Sequence, residues 1–303
     1  MGIQRVTSRM MTERTLNALS DQVRRLMKLQ DQLSTQRRIT TPSDDPIGTQ
    51  RAVNVRTILA KNKQYSASIT NMEPLLDETD TAIMTANAAL GRVRELTLQG
   101  ANSTNAQSQL DAIANEINQL LETVFSTANH ITDGRYIFAG TRSSQAAFTA
   151  TRHANGEIAS VAYQGNEEKI RIATGDQQTV VINENGQAVF RNGEDTFQTL
   201  IGIRDDLRAG NITNLQNTRL AALDTCRDHL LRAVARVGSV QNQLAAAQTE
   251  IEEFNLGYQK LLSNAIDVDY AEVVVNLNTQ TSAYQAALNA ASRILQPSLL
   301  DYI

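Results

Sequence analysis

Heptad-spaced apolar residues recur along most of this 303-residue chain, and they constrain its fold more than any other feature. The two longest stripes run from Val55 to Val93 and from Leu223 to Leu261, and each spans 39 positions. Apolar residues at alternating spacings of three and four form a seam along one side of an α-helix, and a partner helix must cover that seam. Two helices of about 58 Å, at 1.5 Å per residue, can pair along their whole length. The pattern therefore predicts a mainly α fold, an elongated rod of antiparallel coiled-coil helices.

Three shorter stripes extend this pattern, at Leu16–Leu33, Leu110–Ile131 and Tyr270–Ile294. Pro74 lies inside the first long stripe, where a proline lacks the amide hydrogen that the helix needs and should bend it. The heptad phase nevertheless continues on both sides of this proline. We therefore predict one continuous, bent helix rather than two separate helices.

Residues 141–200 have a different pattern. Apolar and polar residues alternate at 169–172, and large and small side chains alternate at 161–163; a period of two is that of a β-strand. Asn155-Gly156 and Asn185-Gly186 separate apolar runs, as two-residue hairpin turns with two positive φ angles require. The segment is therefore predicted to be a small antiparallel β domain inserted between helical segments.

These patterns divide the chain into five segments. An N-terminal helix occupies residues 1–40, and a C-terminal helix occupies residues 266–303. Residues 41–140 and 201–265 form the two parts of the helical rod, on either side of the β domain at 141–200. Both ends of the chain are thus expected to be helical and to belong to the rod.

Few groups in the sequence suit catalysis or metal binding. Aromatic residues make up 4% of the chain and Trp is absent, a composition that disfavours a β-sandwich or an enzyme cleft. The single cysteine, Cys226, cannot form an internal disulfide, and His130, His153 and His229 lie far apart in sequence. No Gly-rich phosphate loop, His-Glu-x-x-His motif or nucleophile elbow occurs. We therefore predict no catalytic, cofactor-binding or metal-binding residues and no enzyme activity.

Two acidic pairs have a structural explanation. Asp44 and Asp45 lie between two prolines just before a predicted helix, where a carboxylate accepts hydrogen bonds from free amides and faces the positive end of the helix dipole. Asp267 and Asp269 precede the last stripe in the same way and lack the ligand spacing of a calcium loop. All four are predicted to cap helices.

The histidines and the cysteine are likewise expected to be structural. Cys226 occupies a stripe position, which favours a small buried hydrophobe over a reactive thiol. His130 and His229 lie beside stripes and are expected at the edge or surface of helices. His153 adjoins a predicted hairpin turn and is expected in a loop.

Charge is unevenly distributed along the chain. Residues 1–65 contain 12 Lys and Arg against 5 Asp and Glu, a net charge of +7, whereas the whole chain carries −4. A basic segment can bind nucleic acid or anionic lipid. Here, however, the arginines alternate with acids and with an apolar stripe, which favours a solvated helix face or a surface matching an acidic neighbour. No apolar run is long enough to span a membrane, and the N-terminus is not a conventional signal peptide.

Five short segments occur in order outside residues 141–200: Arg38–Pro46 (Arg-Ile-Thr-Thr-Pro-Ser-Asp-Asp-Pro), Arg94–Asn102, Gly134–Gly140, Asp267–Glu272 and Ser298–Ile303. In this order they resemble segments of the flagellar hook-associated protein 3 family, the flagellin-like proteins at the junction between hook and filament. Flagellin has the same helical plan and is the alternative. The Thr-Pro-Ser-Asp-Asp-Pro turn, the Tyr-Ile-Phe sequence and the Leu-Asp-Tyr ending favour the junction family.

The resemblance includes one departure. The family usually has Ser-Ser-Gly followed by Lys or Arg before the turn, whereas this chain has Ser34-Thr35-Gln36-Arg37. Glycine adopts a positive φ readily and other residues do not. We therefore expect the N-terminal helix to continue one turn further towards Pro42.

The resemblance implies a structural protein of the bacterial flagellum without catalysis or a cofactor. It implies self-assembly into an adapter ring, with hook-associated protein 1 on the hook side and flagellin on the filament side. It also implies an export chaperone, secretion through the flagellar type III export apparatus with an uncleaved N-terminal signal, and an extracellular location at the hook-filament junction. A flagellin filament subunit is the first alternative. An enzyme and a nucleic-acid-binding module are alternatives from other functional classes.

In this family the terminal segments are disordered in the monomer and pair as a coiled coil when subunits assemble. Residues 1–40 and 266–303 carry uncovered apolar stripes, as expected of segments that fold on assembly. We expect the first stripe to pack against the last. The expected partners are Leu16, Leu19, Val23 and Leu26 on one side and Leu277, Tyr284, Ala287 and Ile294 on the other.

Overall fold

The computed structural model describes the backbone of residues 8–102 and 105–295, and the side chains of residues 10–102 and 105–292. The C-terminal segment Ser298–Ile303 that entered the family resemblance lies outside these residues. The chain has two compact units, residues 1–61 with 253–303 and residues 62–252.

The fold is mainly α-helical, as predicted. The helices are α1 (Ser8–Thr35), α2 (Pro46–Gly100), α3 (Gln107–Ala128), α4 (Gly186–Phe190), α5 (Thr196–Arg208), α6 (Ile212–Asn214), α7 (Leu220–Ile266) and α8 (Tyr270–Leu295). A five-residue π-helical turn, Leu215–Arg219, leads from α6 into α7. The two long stripes lie wholly within α2 and α7. The third stripe was predicted to reach Ile131, but α3 ends at Ala128 and Ile131 begins a strand.

Pro74 does not divide its helix. The helix α2 is continuous from Pro46 to Gly100 with Pro74 inside it, as predicted from the heptad phase. The Pro74 side chain is exposed to solvent. Since proline has no amide hydrogen, the carbonyl of Thr70 loses its helical hydrogen-bond donor.

The strands form three separate antiparallel pairs. These are β1 (Ile131–Thr132) with β2 (Arg135–Tyr136), β3 (Phe148–Arg152) with β4 (Ile158–Tyr163), and β5 (Arg171–Ala173) with β6 (Thr179–Val181). A small antiparallel strand region between the long helices is therefore confirmed. The segment 141–200 also contains α4 and the start of α5.

The hairpin turns differ from the prediction. Only Gly156 of the Asn155-Gly156 pair has a positive φ, 85°, and the loop between β3 and β4 is longer than two residues. Asn185 makes no hairpin turn, because its side chain accepts a 2.7 Å hydrogen bond from the Ala188 amide and caps α4. The two-residue turn with two positive φ angles is Asp133-Gly134, at 51° and 74°, between β1 and β2. An Asp-Gly pair is a favoured sequence for this turn, so the signal was present and missed.

Within residues 62–252, α2 and α7 pack antiparallel. Arg94 Nε donates to Asp224 Oδ1 at 2.7 Å, and Gln241 Nε2 donates to Asp77 Oδ1 at 2.8 Å. Residue numbers therefore increase along one helix in the direction in which they decrease along the other. The apolar stripes fill the space between them with fully buried side chains: Ile83, Leu90, Val93, Leu223, Leu230 and Val237.

A cluster of phenylalanines joins the strand region to the helices. Five of the six phenylalanines in the chain belong to it: Phe125, Phe138, Phe148, Phe190 and Phe197. Neighbouring ring centroids lie 5.0 to 6.5 Å apart in tilted or edge-to-face geometry, which favours aromatic pairs. The few aromatic residues are thus concentrated where α3, β3, α4 and α5 meet.

Arg204 is the largest fully buried side chain in this unit, at 1% exposure. Its guanidinium donates to Asn118 Oδ1 at 3.0 Å, to the Ile158 carbonyl at 2.8 Å and to Asp205 Oδ1 at 2.8 Å. A buried charge is tolerated when its donors are satisfied in this way. Arg204 therefore ties α5 to α3 and β4.

Candidate functional site

The first and last helices of the described chain, α1 and α8, pack against each other as predicted. Most of their seam keeps some contact with solvent. Leu16 is 54% exposed, and the side chain of Ile294 lies outside the described residues. The predicted partners with half-buried side chains are Leu19, Val23, Leu26, Leu277, Tyr284 and Ala287. Two helices therefore pair through the predicted residues without forming a dry core.

Exposed apolar side chains are concentrated in the same unit. Of the sixteen large apolar side chains that are exposed among the described residues, twelve lie in residues 1–61 and 253–303. They are Met10, Met11, Leu16, Met27, Ile47, Val53, Phe254, Leu256, Leu261, Tyr270, Val275 and Leu288. Exposed apolar surface of this kind favours contact with another molecule.

Two of these residues were predicted to lie in the α7 seam. Phe254 and Leu261 occupy heptad positions, yet they are 55% and 57% exposed. At this end of α7 the covered side chains are Tyr258, which is a predicted seam position, and Leu262 and Ile266, which are not, and Ile266 packs with Leu262 in a small cluster. A straight helix with 3.6 residues per turn drifts about 20° per heptad from a strict 3.5 repeat, which moves the buried side off the predicted stripe.

The helix α1 ends at Thr35, so the expected extra turn towards Pro42 is wrong. Gln36 takes the left-handed conformation, with φ at 55°, that a glycine would adopt more easily. The missing glycine thus pointed to the residue, Gln36, at which the helix ends, but the expectation that the helix would continue past it was wrong. Tertiary contacts rather than local propensity impose the turn.

We call residues 36–45, which join α1 to α2, the connector. It pairs with the connection between α7 and α8. The Arg38 amide donates to the Ile266 carbonyl at 2.7 Å, and the Val268 amide donates to the Gln36 carbonyl at 3.2 Å. An antiparallel bridge between Arg37 and the α7–α8 connection lies between these bonds. Both connections are therefore held by a short backbone ladder.

Asp45 caps α2, as predicted. Its Oδ1 accepts a 2.8 Å hydrogen bond from the Gly48 amide, and its Oδ2 lies 3.2 Å from the Arg38 guanidinium. The Gly48 amide, followed by the Arg38 guanidinium, holds the pKa of this carboxyl below its ordinary value. A β-carbon on Gly48 would lie 2.5 Å from Asp45 Oδ2 and 2.6 Å from Ile39 Cδ1, so a glycine fits closely there.

Asp44 does not cap the helix. Its Oδ1 accepts from Lys28 Nζ at 2.7 Å, and its Oδ2 accepts from the amides of Thr40 and Thr41 at 3.2 and 2.9 Å. The Lys28 ammonium, followed by the Thr41 amide, holds the pKa of Asp44 well below its ordinary value. Sequence reasoning missed this role because Lys28 lies sixteen residues away, on α1.

Of the second acidic pair, Asp269 alone has the predicted role. Its Oδ1 accepts from the amides of Ala271 and Glu272 at 3.0 and 3.2 Å, at the start of α8. Asp267 contributes through its backbone, in the ladder with the connector. The negative charge of Asp269 also lies at the positive end of the α8 dipole.

The cysteine and histidines take the positions expected for structural residues. Cys226 is buried, and burial raises the pKa of its thiol, which disfavours the reactive thiolate. Burial also lowers the pKa of His229. His130 follows the end of α3, with its Nε2 3.0 Å from Glu78 Oε2, and His153 is exposed in the loop between β3 and β4.

Among residues 8–102 and 105–295, no three His, Cys, Asp or Glu side chains lie close enough to hold a metal ion. Within the same ranges, no helix is long and apolar enough to cross a membrane. The described features with functional potential are the α1–α8 seam, the exposed apolar side chains of the same compact unit, and the connector.

Comparison with known proteins places these features in a family context. A model of the bacterial flagellin N-terminal helical region matches residues 6–143, and one of the bacterial flagellin C-terminal helical region matches residues 220–303. Flagellar hook-associated protein 3 of Salmonella typhimurium is 25% identical over 93% of this chain and 94% of that protein. The protein of the same name from Escherichia coli K12 is 25% identical over 94% of this chain and 95% of its own length. Flagellin of Salmonella typhimurium is 36% identical, but over 31% of this chain and 19% of flagellin.

Solved structures have the same fold. The flagellar junction protein FlgL from Legionella pneumophila matches with a TM-score of 0.59 at 14% identity, over 73% of this chain and 100% of that one. FlgL from Bacillus cereus matches with a TM-score of 0.57 at 23% identity, over 69% of this chain and 99% of that one. At these identities the likeness concerns the fold alone.

Proposed function

This chain belongs to the bacterial flagellin family, and from that premise we propose that it is a structural subunit of the junction between the flagellar hook and filament. One observation carries the proposal. The match to hook-associated protein 3 extends over 93% of this chain and 94% of that relative, whereas the match to flagellin covers 31% and 19%. The chain is therefore similar to the junction protein over nearly its whole length and to the filament protein over less than a third of it.

The proposed mechanism is assembly without catalysis. Helices α1 and α8 are only half-buried against each other, and twelve exposed large apolar side chains lie in the same compact unit. Packing against neighbouring subunits would cover this surface and add the burial that the single chain lacks. The proposed partners are further copies in a ring, hook-associated protein 1 towards the hook and flagellin towards the filament. An export chaperone and the flagellar export apparatus would act before assembly.

A flagellar location follows from the family, and extracellular placement after type III export is part of the proposal. The basic N-terminal region and the acidic remainder would attract neighbouring subunits, an interaction that salt screens. Flagellin proper is the alternative function. It requires growth into long homopolymers, whereas a junction subunit stops after limited assembly.

Deletion of the gene tests the junction role directly. We expect cells with hooks but without attached filaments in electron micrographs, and flagellin released into the culture medium. A plasmid copy of the intact gene should restore the filaments. Intact filaments on the deletion strain, with no second gene copy, would refute the junction role.

Hydrogen exchange on the purified chain tests assembly-coupled folding separately. The half-buried seam should give weak protection of the α1 and α8 amides in dilute solution, compared with those of α3. Protection of α1 and α8 equal to that of α3 would contradict folding on assembly. Such a result would leave the junction role itself intact.

A further inference from the structure

Asp44 has two sets of contacts in the connector. Its Oδ2 accepts from the Thr40 and Thr41 amides and from the Thr40 hydroxyl at 3.1 Å, all within the connector. Its Oδ1 accepts from Lys28 Nζ at 2.7 Å, and Lys28 lies on α1. The same carboxylate therefore orders the connector and holds α1. When the connector folds, it places the acceptor that Lys28 needs.

Arg38 joins the connector to three helices. Its guanidinium lies 3.2 Å from Asp45 Oδ2 at the start of α2 and donates to the Ala265 carbonyl at 2.8 Å. Its amide donates to the Ile266 carbonyl at 2.7 Å, so it satisfies last-turn carbonyls of α7 that have no donor within the helix. Its own carbonyl accepts from Gln32 Nε2 of α1 at 2.9 Å.

The α1–α8 pair has little buried apolar surface of its own. Val273 and Ala291 are buried on the α8 side, and no described side chain of α1 is. Separation of such a pair costs little free energy, because that cost grows with the apolar area exposed. A contact outside the seam that changes the equilibrium between paired and separated α1 and α8 by a few fold therefore measurably alters the fraction of molecules in which the two helices are paired.

The conformation of Gln36 disfavours the connector structure that forms these contacts. Its φ of 55° is unfavourable for a residue with a β-carbon, and its carbonyl is the acceptor in the ladder with Val268. The connector thus contains stabilising contacts at Asp44 and Arg38 and one unfavourable conformation at Gln36. These act in opposite directions on the same element.

From this geometry we propose that the connector is a latch that sets the docking equilibrium of the α1–α8 pair. Closure forms the Lys28–Asp44 contact and the backbone ladder together, and opening breaks both. The unfavourable Gln36 conformation keeps the closed latch from being too stable to open. The latch is a property of the single chain in solution, so it stands whether or not the gene deletion removes filaments.

Three substitutions in the full-length chain separate the parts of the latch by hydrogen exchange with mass spectrometry. Lys28→Ala should lower the protection of α1 and α8 about two- to fivefold and leave the Thr40 and Thr41 amides protected. Asp44→Ala should lower both, by about tenfold. Gln36→Gly should raise the protection of α1 and α8 about two- to fivefold, because glycine relieves the positive φ.

The matched control is Arg24→Ala. Arg24 pairs with Asp21 on the same helix, and neither residue contacts the connector in the described structure. This variant removes a cation from α1 without touching the latch, so the exchange of α8 should not change. Exchange of α3, in the other compact unit, reports intact folding for every variant.

Opposite shifts for Lys28→Ala and Gln36→Gly, with no shift for Arg24→Ala, would establish the latch. Equal effects of Lys28→Ala and Arg24→Ala would overturn it, since they would reflect only the loss of a surface cation. If the unaltered chain already exchanges freely at both ends, Gln36→Gly decides alone. In that case, no slowing of α1 and α8 exchange in Gln36→Gly overturns the proposal.

Discussion

At the scale of single residues, local chemistry explains the helix caps but not the buried charge. Asp45 and Asp269 cap helices as their positions before α2 and α8 predict. Arg204 carried no signal in the sequence, because a lone arginine in an amphipathic helix reads as a surface residue. Its burial depends on acceptors 46 and 86 residues away, at Ile158 and Asn118.

Replacement of Arg204 with Ala should lower the free energy of unfolding by about 3 kcal/mol, because the buried acceptors lose their donors and a cavity forms. Urea denaturation followed by circular dichroism measures this change. Arg204→Lys should recover less than half of the loss, since an ammonium lacks the planar fork that reaches all three acceptors. A loss below about 1 kcal/mol for Arg204→Ala would show that these bonds contribute little.

Glu157 should make stability depend on pH. Hydrogen bonds from Arg208, at 2.6 Å to both carboxylate oxygens, lower the pKa of Glu157 to about 2. Because the folded pKa lies below the unfolded value, the stabilisation is complete above about pH 4.5 and disappears as pH falls towards 2. Glu157→Gln should therefore cost about 1–2 kcal/mol at pH 7 and progressively less below pH 4.5.

Urea denaturation of the two chains at pH 7, 5 and 3.5 checks this prediction. The double variant with Arg208→Gln is the control, since it removes the partner and should show no further pH dependence from this pair. A difference between Glu157→Gln and the unaltered chain that stays constant from pH 7 to 3.5 would contradict it.

At the scale of elements, the heptad pattern identified every helix of more than 20 residues among those that the structure describes. The predicted stripes lie within α1, α2, α7 and α8, and α3 lacks only the last predicted position. Strand alternation located β4 and part of β5. The turns were less predictable, because an Asn-Gly or Asp-Gly pair can form a hairpin turn and the same Asn or Asp can cap a helix. The surrounding structure decides between the two.

Pro74→Ala should raise the free energy of unfolding by about 1–2 kcal/mol. Alanine restores the amide donor to the Thr70 carbonyl within the continuous helix, and the gain is reduced by the greater freedom of the unfolded chain. Thermal or urea denaturation measures the effect. Pro46→Ala is the matched control, because a proline at the first position of α2 is favourable and its loss should give no gain. Destabilisation by Pro74→Ala would show that packing along α2 depends on the proline.

At the scale of the whole molecule, buried and exposed apolar side chains are concentrated in different compact units. Most of the buried apolar side chains of residues 62–252 form one cluster, whereas twelve large apolar side chains of the other unit face solvent. The buried side chains stabilise the chain itself, as in any folded domain. The exposed side chains stabilise the single chain little, and under the proposed function they are covered on assembly.

Phe254→Ser and Leu261→Ser should therefore leave the free energy of unfolding within about 0.5 kcal/mol of the unaltered chain, because both side chains are more than half exposed. In the deletion strain, each should fail to restore filaments. Leu230→Ala, in the buried cluster, should instead cost about 2–5 kcal/mol. Urea denaturation and electron microscopy measure the two properties.

Leu256→Ser is the matched surface control, because Leu256 is 60% exposed on the same helix and points away from the side that carries Phe254 and Leu261. It should restore filaments. Normal filaments with both Phe254→Ser and Leu261→Ser would remove this side of α7 from the proposed assembly surface.

The sequence by itself determined the helical fold, the pairing of long helices, the caps at Asp45 and Asp269, and the family resemblance. These depend on periodicity and on neighbours within a few residues, which any single sequence displays. The tertiary structure alone decided the positive φ of Gln36, the Lys28–Asp44 contact, the burial of Arg204 and the exposure of Phe254 and Leu261. Each depends on groups far apart in the chain, or on a helical drift of about 20° per heptad that accumulates over several turns, and no local pattern records either.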